Sequence, residues 1–439
     1  MRRVVVTGLG VVSPAGIDKE ALWETVSAAK SMTKSLSSVL SSDLFGPFDF
    51  SADSVAEVPG FAERARSLPK EVQRLDRFVQ FAVACALDAM ADAGLAPGQV
   101  DPERSGISLS TAICGTPKME EEFLLVTNDG KEPIDPSKAG RDLYLASMSN
   151  TPGIILAPLL GAQGQCVTLS TGCIGGIDAI GNAYEAIGYG DADVMIAGAS
   201  EAPITPITVA SFEIINCLSR KHRNQPEAAS RPYDAQRDGF VLAEGAGVVV
   251  LEELDHALRR GARPYMEIRS FSHTSNAMHM TDLLTDGADL ARSMIQAIDR
   301  AGLASTDVDH VSSHGSSTPQ NDSCETSALK LALGEHAYTI PVNSAKSMLG
   351  HALSAASAIE IVLCALACER GYIHPTANYQ NVDPQCDLDY VPDKKRPWDG
   401  TTILKDASGF AALHAAMVMR ATQNEIQNEM PNGMASWTA

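Results

Sequence analysis

Two stretches about 200 residues apart are near copies of each other. Residues 88–101 read DAMADAGLAPGQVD, and residues 296–309 read QAIDRAGLASTDVD. Each closes an apolar-periodic helical segment with AGL. A polar link then leads to a strand that runs into small residues. A period this long is not a solenoid repeat; it predicts a duplicated domain. The partner segments agree. CVTLSTGCIGGIDAIGNAYEAI (166–187) and IPVNSAKSMLGHALSAASAIEIVLCAL (340–366) both read as strand, turn and helix. DADVMIAGAS (191–200), GAGVVVLEEL (245–254) and YMEIRSFS (265–272) read as further strands. Strands alternating with helices predict an α/β fold with helix-covered mixed sheets. The two halves divide near HALRRGARPY (256–265), giving segments 1–255 and 256–423. Residues 424–439 lack periodicity and read as a loose tail.

Composition narrows the function. A net charge of −20 argues against nucleic acid as a partner. The longest apolar runs are too short to span a bilayer. The opening MRRVVVTGLGVV is broken by Gly8, Gly10 and Pro14, so it reads as a buried strand rather than a leader. The expectation is a soluble, cytoplasmic protein. Nine cysteines without a CxxC pair suit buried, reduced thiols better than disulfides or a zinc site. CALAC (364–368) reads as core.

Cys173 stands at the corner between a predicted strand and a glycine-rich helix start. Unpaired N–H groups and the helix dipole there favour a thiolate, the nucleophilic form. The bland alternative is a small buried residue at a packed corner. His314 follows the strand VDHVSS within SSHGSSTPQNDSCET (312–326), with Asp322 and Glu325 as orienting carboxylates or helix-start acids. Lys346 and His351 lie in NSAKSMLGHALSAASAIE (343–360). A buried Lys346 needs an anion, and Glu325 is an available one. A histidine at a helix start stays neutral and donates from its ring N–H. Strand ends are where sites gather in α/β sheets. One cysteine and two histidines there admit two chemistries: acyl hydrolysis by a Cys–His pair, or an acyl thioester acting on a second thioester with stabilisation of a carbonyl oxyanion.

STGC with its glycines, HGSSTPQND followed by ET, and KSMLGH are similar to three motifs of the β-ketoacyl synthases. RPYDAQRDGFVLAEGAGVVVLEEL (231–254) and RRVVVTGLGVVSPAG near the start are further matches, in order, across residues 2–422. DADVMIAGASEAPITPIT (191–208), SNAMHMTDL (275–283) and QND (320–322) resemble the ketosynthase α subunit of bacterial type II polyketide synthases. The resemblance implies a thiolase fold: duplicated βαβαβαββ halves in five α-β-α-β-α layers. It implies decarboxylative condensation of malonyl-acyl carrier protein with an acyl chain on Cys173, making an aromatic polyketone or a reduced polyene. His314 and His351 would bind the thioester carbonyl and promote loss of carbon dioxide. Lys346 and Glu325 would form a structural ion pair. The backbone N–H groups of Cys173 and Phe410, beside Gly409, would form an oxyanion hole. Ser316 and Thr318 would touch the phosphopantetheine arm. No bound cofactor and no metal are implied. The partners implied are an acyl carrier protein and a chain-length factor, the latter in a heterodimer. Arg64, Arg66, Lys70, Arg74 and Arg77, with SRKHR (219–223), are candidate docking cations; a solvated charged face reads them equally well. Alternatives are a homodimeric fatty-acid-type synthase, a non-condensing acyltransferase or chain-length partner, a thiolase and a Cys–His hydrolase. A thiolase would carry a second catalytic cysteine near the C-terminus, and SGFAALHAAM has none. Two departures stand out. Ile174, Gly175 and Gly176 replace the usual residues after the cysteine, and Ala411 and Ala412 replace two glycines after Phe410. Asp406 and His414 add polar groups to that region.

Overall fold

The computed structural model describes residues 1–40, 49–410 and 413–422. The proposed tail and the Ala411–Ala412 pair therefore lie outside the described residues. Ten strands build the central sheet: β1 (Val4–Val12), β2 (Ser105–Ser110), β3 (Cys166–Leu169), β4 (Val194–Glu201), β5 (Gly245–Glu253), β6 (Met266–Ser275), β7 (His310–Ser312), β8 (Val342–Asn343), β9 (Thr402–Gly409) and β10 (Leu413–Ala421).

The duplication is written in their order. The first five run β3-β2-β4-β5-β1 across the sheet; the last five run β8-β7-β9-β10-β6. Numbered within each half, both orders are 3-2-4-5-1. The directions match as well. The first three strands of each order are parallel, and the last two add antiparallel. The halves are not separate sheets. Val4–Val6 of β1 pair with Met266–Ile268 of β6 and join them edge to edge.

Helices cover the sheet in layers. α1 (Arg77–Asp92) packs on β1 and β5 outside the first half. α2 (Gly175–Tyr189) and α5 (Ser354–Arg370) pack against each other between the halves. α3 (Ala288–Arg300) and α4 (Pro319–Leu333) cover the outside of the second half. The result is the five-layer α-β-α-β-α stack. β1 is buried along its whole length between two helix layers, which explains its continuous apolar run. Both Cys364 and Cys368 lie in the central core. No helix among the described residues is long and apolar enough to cross a membrane.

The two central helices approach backbone to backbone. A Cβ on Gly176 would sit 2.6 Å from the Ser354 carbonyl oxygen and 2.7 Å from the Ala358 nitrogen. Ser357 Oγ accepts the Ile177 N–H at 3.0 Å, and Ser354 Oγ donates to the Gly172 carbonyl at 3.0 Å. This contact holds the start of α2 against the start of α5.

Candidate active site

Cys173 lies in a single tight turn, Gly172–Ile174, between β3 and α2. Gly172 has φ +60°, a left-handed conformation that glycine adopts without strain. The strand therefore turns sharply and sets the thiol at the helix entrance. His314 follows β7 and His351 precedes α5, whose first residue is Ser354. The imidazoles meet edge to face, with centroids 5.2 Å apart. Phe240 packs against His351 at 5.2 Å. Cys173, His314, His351, Phe240, Ser316, Thr318, Gly409 and Phe410 line one cleft. Thr281, Leu283, Gln320 and Asn321, from the SNAMHMTDL and QND stretches, line it too.

The electrostatics differ from the helix-start expectation. Burial pushes the Cys173 thiol up to about 11, because a thiolate loses its hydration there. The Lys346 charge and the N–H groups of Phe410 and Cys173 itself act in the opposite direction. Both N–H groups are therefore within reach of the sulfur. Burial, the Lys346 charge and the nearby cationic groups hold both histidines well below the ordinary histidine value. His351 is neutral as expected, but desolvation, not the helix dipole, is the main cause.

One pairing needs correcting. The anion on Lys346 is Glu360, at 2.5 Å, and not Glu325. Lys346 Nζ also donates to the His314 carbonyl at 2.7 Å. Glu360 projects from α5, the helix stacked directly against the Lys346 turn. Glu325, on α4, faces the other side of His314. There it accepts the His314 N–H at 2.6 Å, the Gly315 N–H at 2.9 Å and the Tyr233 hydroxyl at 2.6 Å. Asp322 accepts the Tyr233 N–H at 2.8 Å and lies 3.6 Å from Arg237. It ties the RPYDAQRDG segment to the cleft-lining loop, accepting the Ser317 N–H at 3.2 Å as well. Thr318 caps α4, and its hydroxyl is 2.8 Å from that of Ser316.

Reading by spacing alone missed Glu360, Tyr233, Lys405 and Phe240. Glu360 lies within an apolar run, and an isolated charge inside such a run is the available signal; Lys405 stands beside Asp406 and gives no such signal. The docking candidates also separate. Arg64 pairs with Asp88, Arg74 with Asp142, and Arg77 with the buried Glu244. Arg66 and Lys70 are exposed, and neither makes an ion pair among the described residues. No cluster that would hold a metal ion occurs among the described residues.

The sequence matches two family descriptions: "Beta-ketoacyl synthase, N-terminal domain" over residues 1–257 and "Beta-ketoacyl synthase, C-terminal domain" over residues 265–380. The chain belongs to the β-ketoacyl synthase family. It is a condensing acyltransferase of that family, with its thiolase-type fold. Among similar curated proteins is a putative polyketide β-ketoacyl synthase 1 of Streptomyces halstedii, 44% identical over 97% of this chain and 100% of the relative. The actinorhodin polyketide putative β-ketoacyl synthase 1 of Streptomyces coelicolor is 44% identical over 95% of this chain and 88% of the relative. The tetracenomycin ketoacyl synthase α subunit of Streptomyces glaucescens is 42% identical over 95% and 97%. A solved type II polyketide synthase acyl-carrier protein in complex with its ketosynthase, bound to the hexaketide, superposes with a TM-score of 0.88. It is 42% identical and covers 96% of this chain and 100% of that one. The ishigamide ketosynthase/chain length factor superposes with a TM-score of 0.86 at 29% identity, over 96% and 99%.

Proposed function

We propose that this β-ketoacyl synthase is the ketosynthase α subunit of a type II polyketide synthase. In this reading it elongates a polyketide on Cys173 with malonyl units delivered by an acyl carrier protein. The observation that carries the reading is the cleft itself: one thiol under two backbone N–H groups, facing two neutral imidazoles. The relatives named above support the polyketide branch.

The chemistry follows in two stages. Cys173 Sγ attacks the acyl thioester of the carrier protein. The acyl–sulfur bond to the pantetheine breaks, the carrier leaves as its thiol, and the acyl chain stays on Cys173. The N–H groups of Cys173 and Phe410 hold the carbonyl oxygen as it gains charge; such donors contribute about 2.7–4 kcal/mol in other enzymes. Malonyl carrier protein then takes the emptied position, with Ser316 and Thr318 beside its pantetheine arm. Each histidine Nδ1 is buried without a partner. A buried orphan donor is costlier than an orphan acceptor, so the proton sits on Nε2. Two Nε2–H groups bind the malonyl thioester oxygen. The carbon–carboxylate bond breaks, carbon dioxide leaves, and its electron pair forms the enolate. The enolate carbon attacks the Cys173 thioester and releases the sulfur.

The partner reading is a heterodimer with a chain-length factor. β3 ends the sheet with an exposed edge, and an open edge needs a cover. Exposed Ile154 lies on the helix beside it. Exposed Phe123, Leu125, Ile207 and Ile214 lie on the linked helices Thr116–Thr127 and Pro206–Ile214. A patch of this kind marks a protein interface. For carrier docking, Arg66 and Lys70 of the first candidate segment and Lys221 and Arg223 of the second are exposed cations.

The test is intact-mass analysis with short-chain acyl carrier protein, with and without the neighbouring subunit. An adduct on Cys173 followed by malonyl-dependent extension is expected. Absence of an adduct under both conditions rejects the reading.

A further inference from the structure

Strand β9 carries Lys405 and Asp406 side by side, and both are fully buried. Neighbours on a strand point to opposite faces. On one face, Lys405 Nζ lies 2.9 Å from one carboxylate oxygen of Glu360, whose other oxygen holds Lys346 at 2.5 Å. Lys346 in turn grips the His314 carbonyl. On the other face, Asp406 meets Glu325, which grips the His314 and Gly315 N–H groups.

Apart from the Glu325 carboxyl, no donor among the described residues reaches either carboxylate oxygen of Asp406. A buried, unpartnered carboxylate is prohibitively costly. One proton held between Asp406 and Glu325 removes the problem, and both carboxyls are raised above their ordinary range as such sharing requires. The charges then balance. Lys346 and Lys405 are positive, Glu360 is negative, and the proton-sharing pair carries the second negative charge.

We propose that Lys405 and Asp406 are positioning residues for His314, clamping its backbone from the two faces of β9 through Glu360–Lys346 and through Glu325. Neither touches substrate. The inference rests on the condensing reading above, in which His314 serves decarboxylation while acyl transfer needs only Cys173 and its two N–H donors. Losing Lys405 leaves Glu360 a single cation and lets Lys346 follow it away from His314. Losing the Asp406 carboxyl leaves Glu325 without its shared proton.

The experiment compares two half-reactions in full-length K405M and D406L, each with the partner subunit where activity requires it. Acylation of Cys173 is followed by intact mass with acyl carrier protein. Decarboxylation is followed by carbon dioxide release from malonyl carrier protein. Expected is a fall in decarboxylation kcat of about 10–100-fold, the range that ångström-scale misplacement costs, with acylation within about threefold of wild type. D406N, which keeps a hydrogen-bonding partner for Glu325, recovers most of the loss seen in D406L. If K405M does not fold, the D406L and D406N pair carries the same comparison. Equal losses in both half-reactions, or no loss in either, overturn the inference. A wild-type enzyme that performs neither half-reaction overturns the function reading instead.

Discussion

At the residue scale, the proposed mechanism divides the labour between Cys173 and the two histidines. Cys173→Ala is expected to abolish condensation. Cys173→Gln is expected to retain malonyl decarboxylation, since His314 and His351 stay in place. Product formation measured by mass spectrometry, beside carbon dioxide release, checks both; condensation by either variant would remove Cys173 from the mechanism. The buried thiol also sets a pH dependence. With its pKa pushed up to about 11, the free enzyme holds little thiolate at neutral pH. Below that value the thiolate fraction rises tenfold per pH unit. Iodoacetamide labelling of Cys173 should therefore climb steadily between pH 7 and 10. A plateau below pH 9 would show a thiolate stabilised in the resting enzyme. The three cleft side chains to which the proposed mechanism assigns the chemistry were legible because each sits in a short run of small residues at a strand end. The anion on Lys346 was not, because Glu325 and Glu360 are equally good partners on paper.

At the element scale, the site exists because two helices cross closely. α2 brings Cys173 and α5 brings His351. Their starts are stitched by Ser354 and Ser357, with no room at Gly176 for a side chain. Gly176→Ala forces a methyl against the Ser354 carbonyl and the Ala358 nitrogen. Overpacking of this kind costs about 1–3 kcal/mol. The expected outcome is a lower Tm together with a larger Cys173–His351 separation, and therefore weaker condensation. A variant with unchanged Tm and activity would show that the crossing tolerates separation. The glycines after Cys173 were visible in the sequence as a departure. Their reason was not, since it depends on which helix lies opposite.

At the scale of the whole molecule, duplication explains both the sheet and the site. Two copies of one strand order, joined through β1 and β6, place the cysteine of one half opposite the histidines of the other. The open end at β3 makes a further prediction. Ile154→Glu, at an exposed position beside that edge, should weaken association with the partner subunit while leaving Tm unchanged. Size-exclusion chromatography of co-expressed subunits measures it, and an unaltered assembly would place the interface elsewhere.

The sequence by itself determined the duplicated α/β architecture. Hydrophobic periodicity and turn chemistry are local, so a repeat of local pattern is a repeat of fold. It also marked Cys173, His314 and His351, because small residues and strand ends are local signals. Only the tertiary structure decided that Glu360 holds Lys346, that Tyr233 and Asp406 meet Glu325, and that the thiol is pushed up rather than down. Those outcomes depend on burial and on distances between residues far apart in the chain. Charge pairing and desolvation are properties of packed neighbours, and the chain order does not say which neighbours those will be.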